Sequence, residues 1–280
     1  MTILVTGGRG HVGRSVTRKL LAAGETVRVG TSAPADTSLS RDAEVVELDL
    51  SRPQTLSAAL RGVQRVFLYA DPSTVDQQIE ALELAGVEHV TLLSTRSLTF
   101  RDADSNPIAR LHVAVERALG QSRLPWSFLR AGTFATNTLQ WARLIRSDNT
   151  VRAPYPQSHA AAVHEDDIAD VATLTLTQQG HAGAAYVMSG PESNTQREQV
   201  SLIGKAIGRE IEFEEIEPET YRRTLSRWGG GREEVINQLL TYLVTWNERP
   251  VPVVDALRQL TGRPGRPYAQ WAVDHADDFR

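Results

Sequence analysis

The stretch that most constrains the fold is residues 1–13, MTILVTGGRGHVG. The apolar run at residues 3–5 predicts a short strand that is buried on both faces. Three glycines follow it at a GxxGxxG spacing: Gly7, Gly10 and Gly13. The helical stretch Arg14 to Ala23 begins directly after the last glycine. A strand, a glycine-rich turn and a helix in this order predict the first unit of an α/β fold.

This glycine-rich turn has the properties of a phosphate cradle. Gly7 permits a tight turn, Gly10 lets the backbone approach a pyrophosphate, and Gly13 lets the helix lie close to the strand. The first amides of the helix then hold the anion. An ordinary strand–helix turn is the alternative interpretation. The residues expected to hold a dinucleotide in this turn are Thr6, Gly7, Arg9, Gly10, His11, Val12 and Gly13.

Composition narrows the class of protein. The chain has 280 residues, of which 41% are apolar and 23% are charged, and it has no cysteine. The lack of cysteine excludes disulfides, thiolate metal sites and a cysteine nucleophile, and we expect no metal site. The net charge of −4 argues against a general nucleic-acid binder, and no stretch is apolar for long enough to span a membrane. We expect a cytoplasmic protein with no nucleic-acid or membrane partner.

Strands and helices alternate after the glycine turn in units of roughly 30 residues, which is typical of a doubly wound parallel sheet. Strands are predicted at residues 26–31, 44–48, 65–70 and 89–95. Ligands of such Rossmann sheets bind beyond the carboxyl ends of the strands. The residues at those ends, expected to line the cofactor groove, are Thr31, Ser32, Asp49, Leu50, Tyr69, Ala70, Ser94 and Thr95.

Two features favour NADP(H) over NAD(H) as the cofactor. Folds that prefer NAD often place an acidic residue after the second strand to bind the ribose hydroxyls. This chain has Gly30, Thr31 and Ser32 there, with no acid before Asp36. Arg9 lies in the glycine turn, where it can pair with a 2′-phosphate. The alternative is that Arg9 is a solvated loop charge.

The chain is expected to form two regions. The dinucleotide-binding domain is predicted to comprise residues 1–137 and 163–190. Residues 138–162 and 191–280 are predicted to form a smaller, mostly helical substrate-binding or lid region. Within it, the stretch 147–161 contains two prolines and is predicted to be an irregular loop over the site.

Several separate stretches resemble one family, the atypical short-chain dehydrogenase/reductases of the NmrA-like group, of the actinobacterial type. The matching pieces cover nearly the whole chain: TGGRGHVG, the Asp49-Leu50 pair, AGVEHVTLLS from Ala85, LPWSFLRAGTFATN from Leu124, HEDDIADVA from His164, GAAYVMSGPES from Gly183 and RPYAQWAVDHADDF from Arg266. The resemblance implies a bound nicotinamide nucleotide, with the three glycines at its pyrophosphate and Asp49 near its adenine. It places Tyr69, Ala70 and Ser94 around the ribose and nicotinamide.

The chain departs from this resemblance at the usual catalytic pair. Most short-chain reductases use Tyr-x-x-x-Lys, in which lysine lowers the tyrosine pKa and tyrosine donates a proton to the carbonyl. Counting back from Glu116 in the family's pattern puts these two positions at Ile108 and His112. No Tyr-x-x-x-Lys occurs anywhere in the sequence.

The first hypothesis is a reductase that works without the tyrosine. Close positioning of a hydride donor contributes much of the rate, and Ser94 or Thr95 can hydrogen-bond a developing oxyanion. Water, His112 or a neighbouring phenol on the substrate itself can supply the proton. The expected partner is a small aromatic ketone or quinone, in keeping with a polyketide or antibiotic pathway, and the protein is expected to be a monomer or homodimer. The residues expected to contact substrate are Phe134, Tyr155, His164 and Trp228.

Each of these catalytic candidates has a structural alternative. His112 can be a helix residue packed against the sheet, and Ser94 and Thr95 can cap the backbone at a strand end. The second hypothesis for the whole chain is a non-catalytic, redox-sensing regulator that binds the dinucleotide and acts through a protein partner. A sugar-nucleotide epimerase is a third and less favoured hypothesis, because epimerase chemistry uses the same tyrosine that this sequence lacks.

The interpretation of Arg9 is testable by nucleotide selectivity. Arg9→Ala removes the guanidinium expected to pair with the 2′-phosphate of NADPH. We expect it to weaken NADPH binding about tenfold or more and NADH binding little, since only NADPH carries that phosphate. Fluorescence titration with both nucleotides measures the two dissociation constants. Equal losses for NADPH and NADH would contradict the assigned role.

Overall fold

The computed structural model describes residues 1–34, 42–101, 103–227 and 233–280. Asp36 and Trp228, a residue expected to contact substrate, lie outside the described residues. The strands are β1 (Thr2–Val5), β2 (Thr26–Thr31), β3 (Glu44–Glu47), β4 (Arg65–Tyr69), β5 (His89–Thr95), β6 (Trp126–Ala131), β7 (Thr150–Ala153), β8 (His159–Ala160), β9 (Ala184–Met188), β10 (Asn194–Thr195) and β11 (Glu212–Glu215). The α-helices are α1 (His11–Ala22), α2 (Leu56–Ala59), α3 (Val75–Leu84), α4 (Pro107–Gln121), α5 (Ala142–Asp148), α6 (Glu165–Thr177), α7 (Gln196–Ile207), α8 (Pro218–Arg227), α9 (Glu233–Thr245), α10 (Ala256–Thr261), α11 (Tyr268–Asp274) and α12 (Ala276–Phe279).

The central element is a parallel sheet whose described strands run in the order β3-β2-β1-β4-β5-β6-β9. The strand order reverses between β1 and β4, which makes the sheet doubly wound and confirms the predicted α/β class. In such sheets the crevice at the reversal is the usual ligand position. The glycine turn between β1 and α1 lies at this point of the topology.

Burial explains why the apolar runs form these strands. Ile3, Leu4 and Val5 of β1 are at most 1% exposed, as a strand covered on both faces requires. The side chains of alternate strand positions join a core that also includes residues from α2, α3 and α4. Its buried members are Leu4, Leu48, Leu56, Ala59, Leu60, Val63, Val66, Leu68, Leu82, Val87, Val90, Leu92, Val115, Leu119, Leu124 and Phe128.

Polar contacts join α1 to α6. Lys19 pairs with Asp170 at 2.6 Å, and Arg18 pairs with Asp166 at 2.5 Å. The Ser15 hydroxyl also donates a hydrogen bond to Asp166. Asp166 lies in the first turn of α6, where the helix dipole favours a negative charge. One carboxylate therefore stabilises the start of α6 and links it to the helix that follows the glycine turn.

The chain divides into two compact units. Of the described residues, unit 1 comprises those in 1–131, 165–188 and 259–262, and unit 2 those in 132–164, 189–258 and 263–280. The expected boundaries lie within six residues of these, except that the segment 259–262, expected in the smaller region, belongs to unit 1. The assignment of unit 2 to substrate binding remains a prediction.

Unit 2 has its own apolar core and two small sheets. Its strand β7 pairs in parallel with β11, and β8 pairs antiparallel with β10. The expectation that residues 147–161 are irregular is therefore wrong, because this stretch contains β7 and β8. The strand partners lie far along the chain, Thr150 opposite Glu212 for example, so the local pattern does not reveal the pairing. The buried core residues are Ala135, Trp141, Ala142, Ile145, Val151, Ala153, Ala162, Val200, Ile203, Ile211, Tyr221, Ile236, Leu240, Leu243, Tyr268, Trp271, Ala272 and Phe279.

None of the helices in the described ranges combines the length and the apolar character needed to cross a membrane.

A buried hydroxyl pair in unit 2 provides a test of this packing. Thr138 donates to the carbonyl of Ala135 at 2.7 Å, so the Tyr268 hydroxyl donates to Thr138 at 2.6 Å. Tyr268→Phe should lower the free energy of unfolding by about 1 kcal/mol, because it removes one buried hydrogen bond. Tyr186→Phe is the matched control, since Tyr186 is only partly buried and should cost less than about 0.5 kcal/mol. Urea unfolding measures both, and equal losses would contradict the assignment.

Candidate active site

The glycine turn between β1 and α1 leaves no room for side chains. Gly7 has a φ of +63°, which favours glycine, and the Gly10 amide donates to the Gly7 carbonyl at 3.0 Å. A Cβ on Gly13 would lie 2.4 Å from the Gly7 carbonyl oxygen. No acidic residue occupies the first turn of α1, so its positive end is available to an anion. The turn therefore fits the pyrophosphate of a dinucleotide, as the sequence predicts.

The residues beside these glycines divide into structural and accessible ones. Thr6 joins β1 to β4, because its amide donates to the Phe67 carbonyl at 3.0 Å and its hydroxyl accepts from the Tyr69 amide at 2.9 Å. Val12 is buried in the core, whereas Arg9 and His11 are exposed. The side chains of Arg9 and His11 thus lie on the solvent side of the turn.

Tyr69 lies against the glycine turn. A Cβ on Gly7 would lie 2.6 Å from the Tyr69 ring, and one on Gly10 would lie 3.3 Å from its hydroxyl oxygen. Burial raises the pKa of Tyr69 to about 12, and the amide of Gly13 opposes this rise by hydrogen bonding to the phenol oxygen. The resemblance implies a position near the ribose and nicotinamide, but the structure places the phenol beside the pyrophosphate turn. Ala70, the next residue, packs partly buried against the core of unit 1.

The end of β2 has the polar, uncharged character that the sequence predicts. Thr31 is buried and its hydroxyl accepts from the Ala33 amide at 3.2 Å, while Ser32 is exposed. Residues 30–34 contain no acid, so this described stretch lacks the carboxylate that binds the ribose hydroxyls of NAD. The preference of Arg9 for a 2′-phosphate remains a prediction.

The carboxylate of Asp49 at the end of β3 is engaged by its own loop. One oxygen accepts from the Ser51 amide at 3.0 Å and hydroxyl at 2.6 Å, and the other accepts from Arg52 at 3.0 Å. The Ser51 hydrogen bonds hold the pKa of Asp49 below its usual value. The next residue, Leu50, accepts from the Thr74 hydroxyl through its carbonyl. Asp49 is thus a charged residue that shapes the loop at the predicted adenine position.

Ser94 belongs to a buried polar network that joins β5, α4 and β6. Its hydroxyl donates to Glu116 at 2.5 Å, and Glu116 accepts two further hydrogen bonds from Arg130, at 3.0 and 2.6 Å. Ser94 is 2% exposed and lies opposite Arg130 in the strand register. A serine hydroxyl has one proton, and here Glu116 accepts it. In this arrangement Ser94 can only accept further hydrogen bonds, contrary to the oxyanion-donor role expected for it.

Sequence reasoning did not assign Glu116 or Arg130 to the site. The signal available was a single charged residue at the end of the otherwise apolar stretch LPWSFLR. A charge near the end of a buried strand needs a partner, and the partner here is on α4.

Thr95 follows Ser94, and its hydroxyl is hydrogen-bonded to uncharged groups. Its hydroxyl donates to the Ser97 hydroxyl at 3.1 Å and accepts from the Ser97 amide at 3.2 Å. It thereby caps the 3₁₀ turn at Arg96–Thr99, which is the structural alternative considered for it. Because a neutral hydrogen bond is weaker than one to a carboxylate, a substrate oxygen can replace Ser97 more readily than it can replace Glu116.

His112 and Ile108 lie on α4, which the Asn106 side chain caps at the amides of Ile108 and Ala109. The Nδ1 atom of His112 is buried and has no hydrogen-bond partner among the described residues. Burial lowers the pKa of His112, and the charge of Glu116 opposes this by a smaller effect. His112 is therefore a neutral imidazole near neutral pH with an unused ring nitrogen.

The candidate substrate residues Phe134, Tyr155 and His164 belong to unit 2. Tyr155 has a φ of +56° and lines a 390 Å³ cavity together with Pro154, Glu215, Ile216, Glu217 and Pro218. The backbone of Phe134 forms an isolated parallel β-bridge with Val163. Because the residue is only partly buried, its side chain has surface left for a ligand. His164 is 3% exposed and lies 3.2 Å from Asp274, which leaves it little surface for a substrate.

The chain is similar to known proteins over most of its length. The model of the NmrA-like family matches residues 1–255. A (4-alkanoyl-5-oxo-2,5-dihydrofuran-3-yl)methyl phosphate reductase of Streptomyces griseus subsp. griseus is 38% identical over 282 residues, which cover 99% of each chain. An NAD(P)H azoreductase of Xenophilus azovorans is 30% identical over 288 residues, again covering 99% of each chain.

The fold also matches that of a solved reductase. An NADPH-dependent quinone oxidoreductase from Escherichia coli, complexed with NADPH, superimposes with a TM-score of 0.76. The two chains are 21% identical, and the match covers 97% of this chain and 99% of the other. This likeness concerns the fold, including the sheet at whose strand ends the glycine turn lies.

Proposed function

The chain belongs to the NmrA-like family, and we propose that it is an NADP(H)-dependent reductase that transfers hydride to a ketone or quinone of an aromatic compound. One similar protein is named as a reductase, and another is named as an NAD(P)H azoreductase. The glycine turn supports the cofactor, because a side chain at Gly13 would collide with the Gly7 carbonyl and the turn offers an anion the start of α1.

The observation that carries the choice of substrate is the residue pair on α4. Ile108 has no acidic proton, and His112 is neutral near pH 7 because burial lowers its pKa. The site therefore offers no strong acid to protonate an isolated alkoxide. A substrate that suits such a site forms a delocalised or internally hydrogen-bonded anion when it accepts hydride. Quinones and hydroxyaryl ketones have this property.

The compounds in the relatives' names support the same chemical class. They are an azo compound, a quinone and a dihydrofuranone that carries an alkanoyl group. Each is a conjugated electron acceptor, so hydride addition gives an anion spread over several atoms. The Streptomyces relative also supports a place for this chain in natural-product biosynthesis, after the reaction that forms the conjugated acceptor.

In the proposed reaction NADPH supplies the hydride when bound, and one proton from water or His112 completes the reduction. The Thr95 hydroxyl donates a hydrogen bond to the substrate oxygen, which replaces the Ser97 hydroxyl as its acceptor. Ser94, whose proton is held by Glu116, accepts a hydrogen bond from the bound cofactor or substrate. Arg130 holds the Glu116 carboxylate in place through its ion pair at 2.6 Å.

The direct test combines binding with turnover. We expect tight binding of NADPH and oxidation of NADPH with at least one member of a panel of quinones, hydroxyaryl ketones and an alkanoyl-dihydrofuranone phosphate. Titration calorimetry measures binding and absorbance at the NADPH band measures turnover. An isolated dialkyl ketone is the matched negative substrate, because its alkoxide requires a strong acid. Binding without any turnover would favour the alternative of a redox-sensing regulator, and absence of binding would contradict both.

The role of His112 is testable by the pH dependence of the rate. Its imidazolium forms only as the pH falls below the ordinary value of 6.5, because burial lowers the pKa. A wild-type rate with His112 as proton donor should therefore rise as the pH falls through that lowered pKa. His112→Ala should remove this rise and reduce kcat by about tenfold or more at pH values below the lowered pKa. His181→Gln is the control, and an unchanged profile in His112→Ala would assign the proton to water.

A further inference from the structure

Tyr69 packs over the glycine turn and carries a hydroxyl group into it. Its ring lies so close to Gly7 that a Cβ there would be 2.6 and 2.7 Å from two ring carbons. Its hydroxyl oxygen reaches the next glycine, 3.3 Å from where a Cβ on Gly10 would be. The phenol therefore extends along the turn from the end of β4 toward the start of α1.

The Tyr69 hydroxyl accepts a hydrogen bond from the protein, but its own proton has no acceptor among the described residues. The Gly13 amide, in the first turn of α1, donates to the phenol oxygen. Burial raises the pKa of Tyr69 to about 12, so the phenol keeps its proton at neutral pH. Within the described parts of the chain, no protein group accepts that proton. A phenol that accepts from an amide can still donate, and here the donor faces an anion-binding turn.

We propose that Tyr69 binds the pyrophosphate of the dinucleotide by donating its phenolic proton to a phosphate oxygen. The inference rests on the proposed function, which supplies the dinucleotide. The Gly13 amide donates to the phenol oxygen while the phenol donates to the phosphate oxygen. Each of these two hydrogen bonds strengthens the other. Because the phenol is neutral, no charge on the Tyr69 side chain has to lose its water when the phenol contacts the anion. This assigns Tyr69 to the phosphates, whereas family resemblance implies the ribose and nicotinamide.

A competing role is that the phenol blocks the turn and swings away when the nucleotide binds. Two contacts argue against such a swing. The ring is held against Gly7, and it makes an edge-to-face contact with Phe67, whose ring centre is 5.9 Å away at an interplanar angle of 86°. Phe67 is fully buried in β4, so this neighbour is rigid. A ring fixed on both sides favours the donor role.

The test is Tyr69→Phe, which keeps the ring contacts and removes only the hydroxyl. Titration calorimetry of the full chain with NADP⁺ should show affinity weakened roughly tenfold, the usual effect of one hydrogen bond to a charged group. Adenosine 2′-monophosphate, which has no pyrophosphate, should bind Tyr69→Phe and wild type equally. Tyr186→Phe is the matched control and should leave the affinity for both ligands unchanged.

Each outcome separates this inference from the proposed function. Unchanged NADP⁺ affinity in Tyr69→Phe overturns the donor role, and tighter binding identifies the phenol as a barrier and overturns it too. Equal weakening for both ligands also contradicts a contact with the pyrophosphate. Wild type that fails to bind NADP⁺ overturns the proposed function itself. Melting temperatures of the variants, expected to lie within about 2 °C of wild type, show that the fold is retained.

Discussion

The structure depends on the close approach of α1 to the glycine turn. Because Gly13 has no Cβ, the helix begins where any other residue would meet the Gly7 carbonyl oxygen at 2.4 Å. That approach brings the positive end of α1 to the point where the strand order reverses, while the missing Cβ of Gly7 leaves space for the Tyr69 ring. Contacts of Ser15, Arg18 and Lys19 with α6 hold the helix in this position. The proposed binding of a dinucleotide phosphate depends on this arrangement.

A second constraint is the network in which Glu116 accepts hydrogen bonds from Ser94 and Arg130. A buried carboxylate requires a cation and donors to offset the loss of water, and the network supplies both. It also removes the Ser94 proton from the chemistry. In the proposed reaction, in which Ile108 and His112 take the positions of the usual acid pair, the substrate stabilises its own anion. This physical limit supports conjugated acceptors as substrates.

Much of the fold was predictable because its signals are local. The apolar run of β1, the glycine spacing and the strand–helix alternation are all written in consecutive residues, and the doubly wound sheet is confirmed. The stretch 147–161 was predicted wrongly as irregular, because β7 and β8 owe their structure to strands that occur much later in the sequence. The hydrogen bond of Ser94 was not predicted for a similar reason. Its partner, Glu116, lies on another element, and a hydroxyl pattern does not show where its proton goes.

The sequence by itself determined the unit of β1, glycine turn and α1 and the strand–helix alternation of the central sheet, since glycine spacing and hydrophobic period act over a few neighbouring residues. Only the tertiary structure decided which polar groups are already engaged. It paired Ser94 with Glu116, buried His164 beside Asp274 and laid Tyr69 over the glycine turn. These hydrogen bonds and packing contacts join segments that are far apart in the sequence. Which groups become partners therefore depends on the geometry and burial of the folded chain. For that reason the sequence identified the candidate residues, and the folded chain assigned their hydrogen bonds.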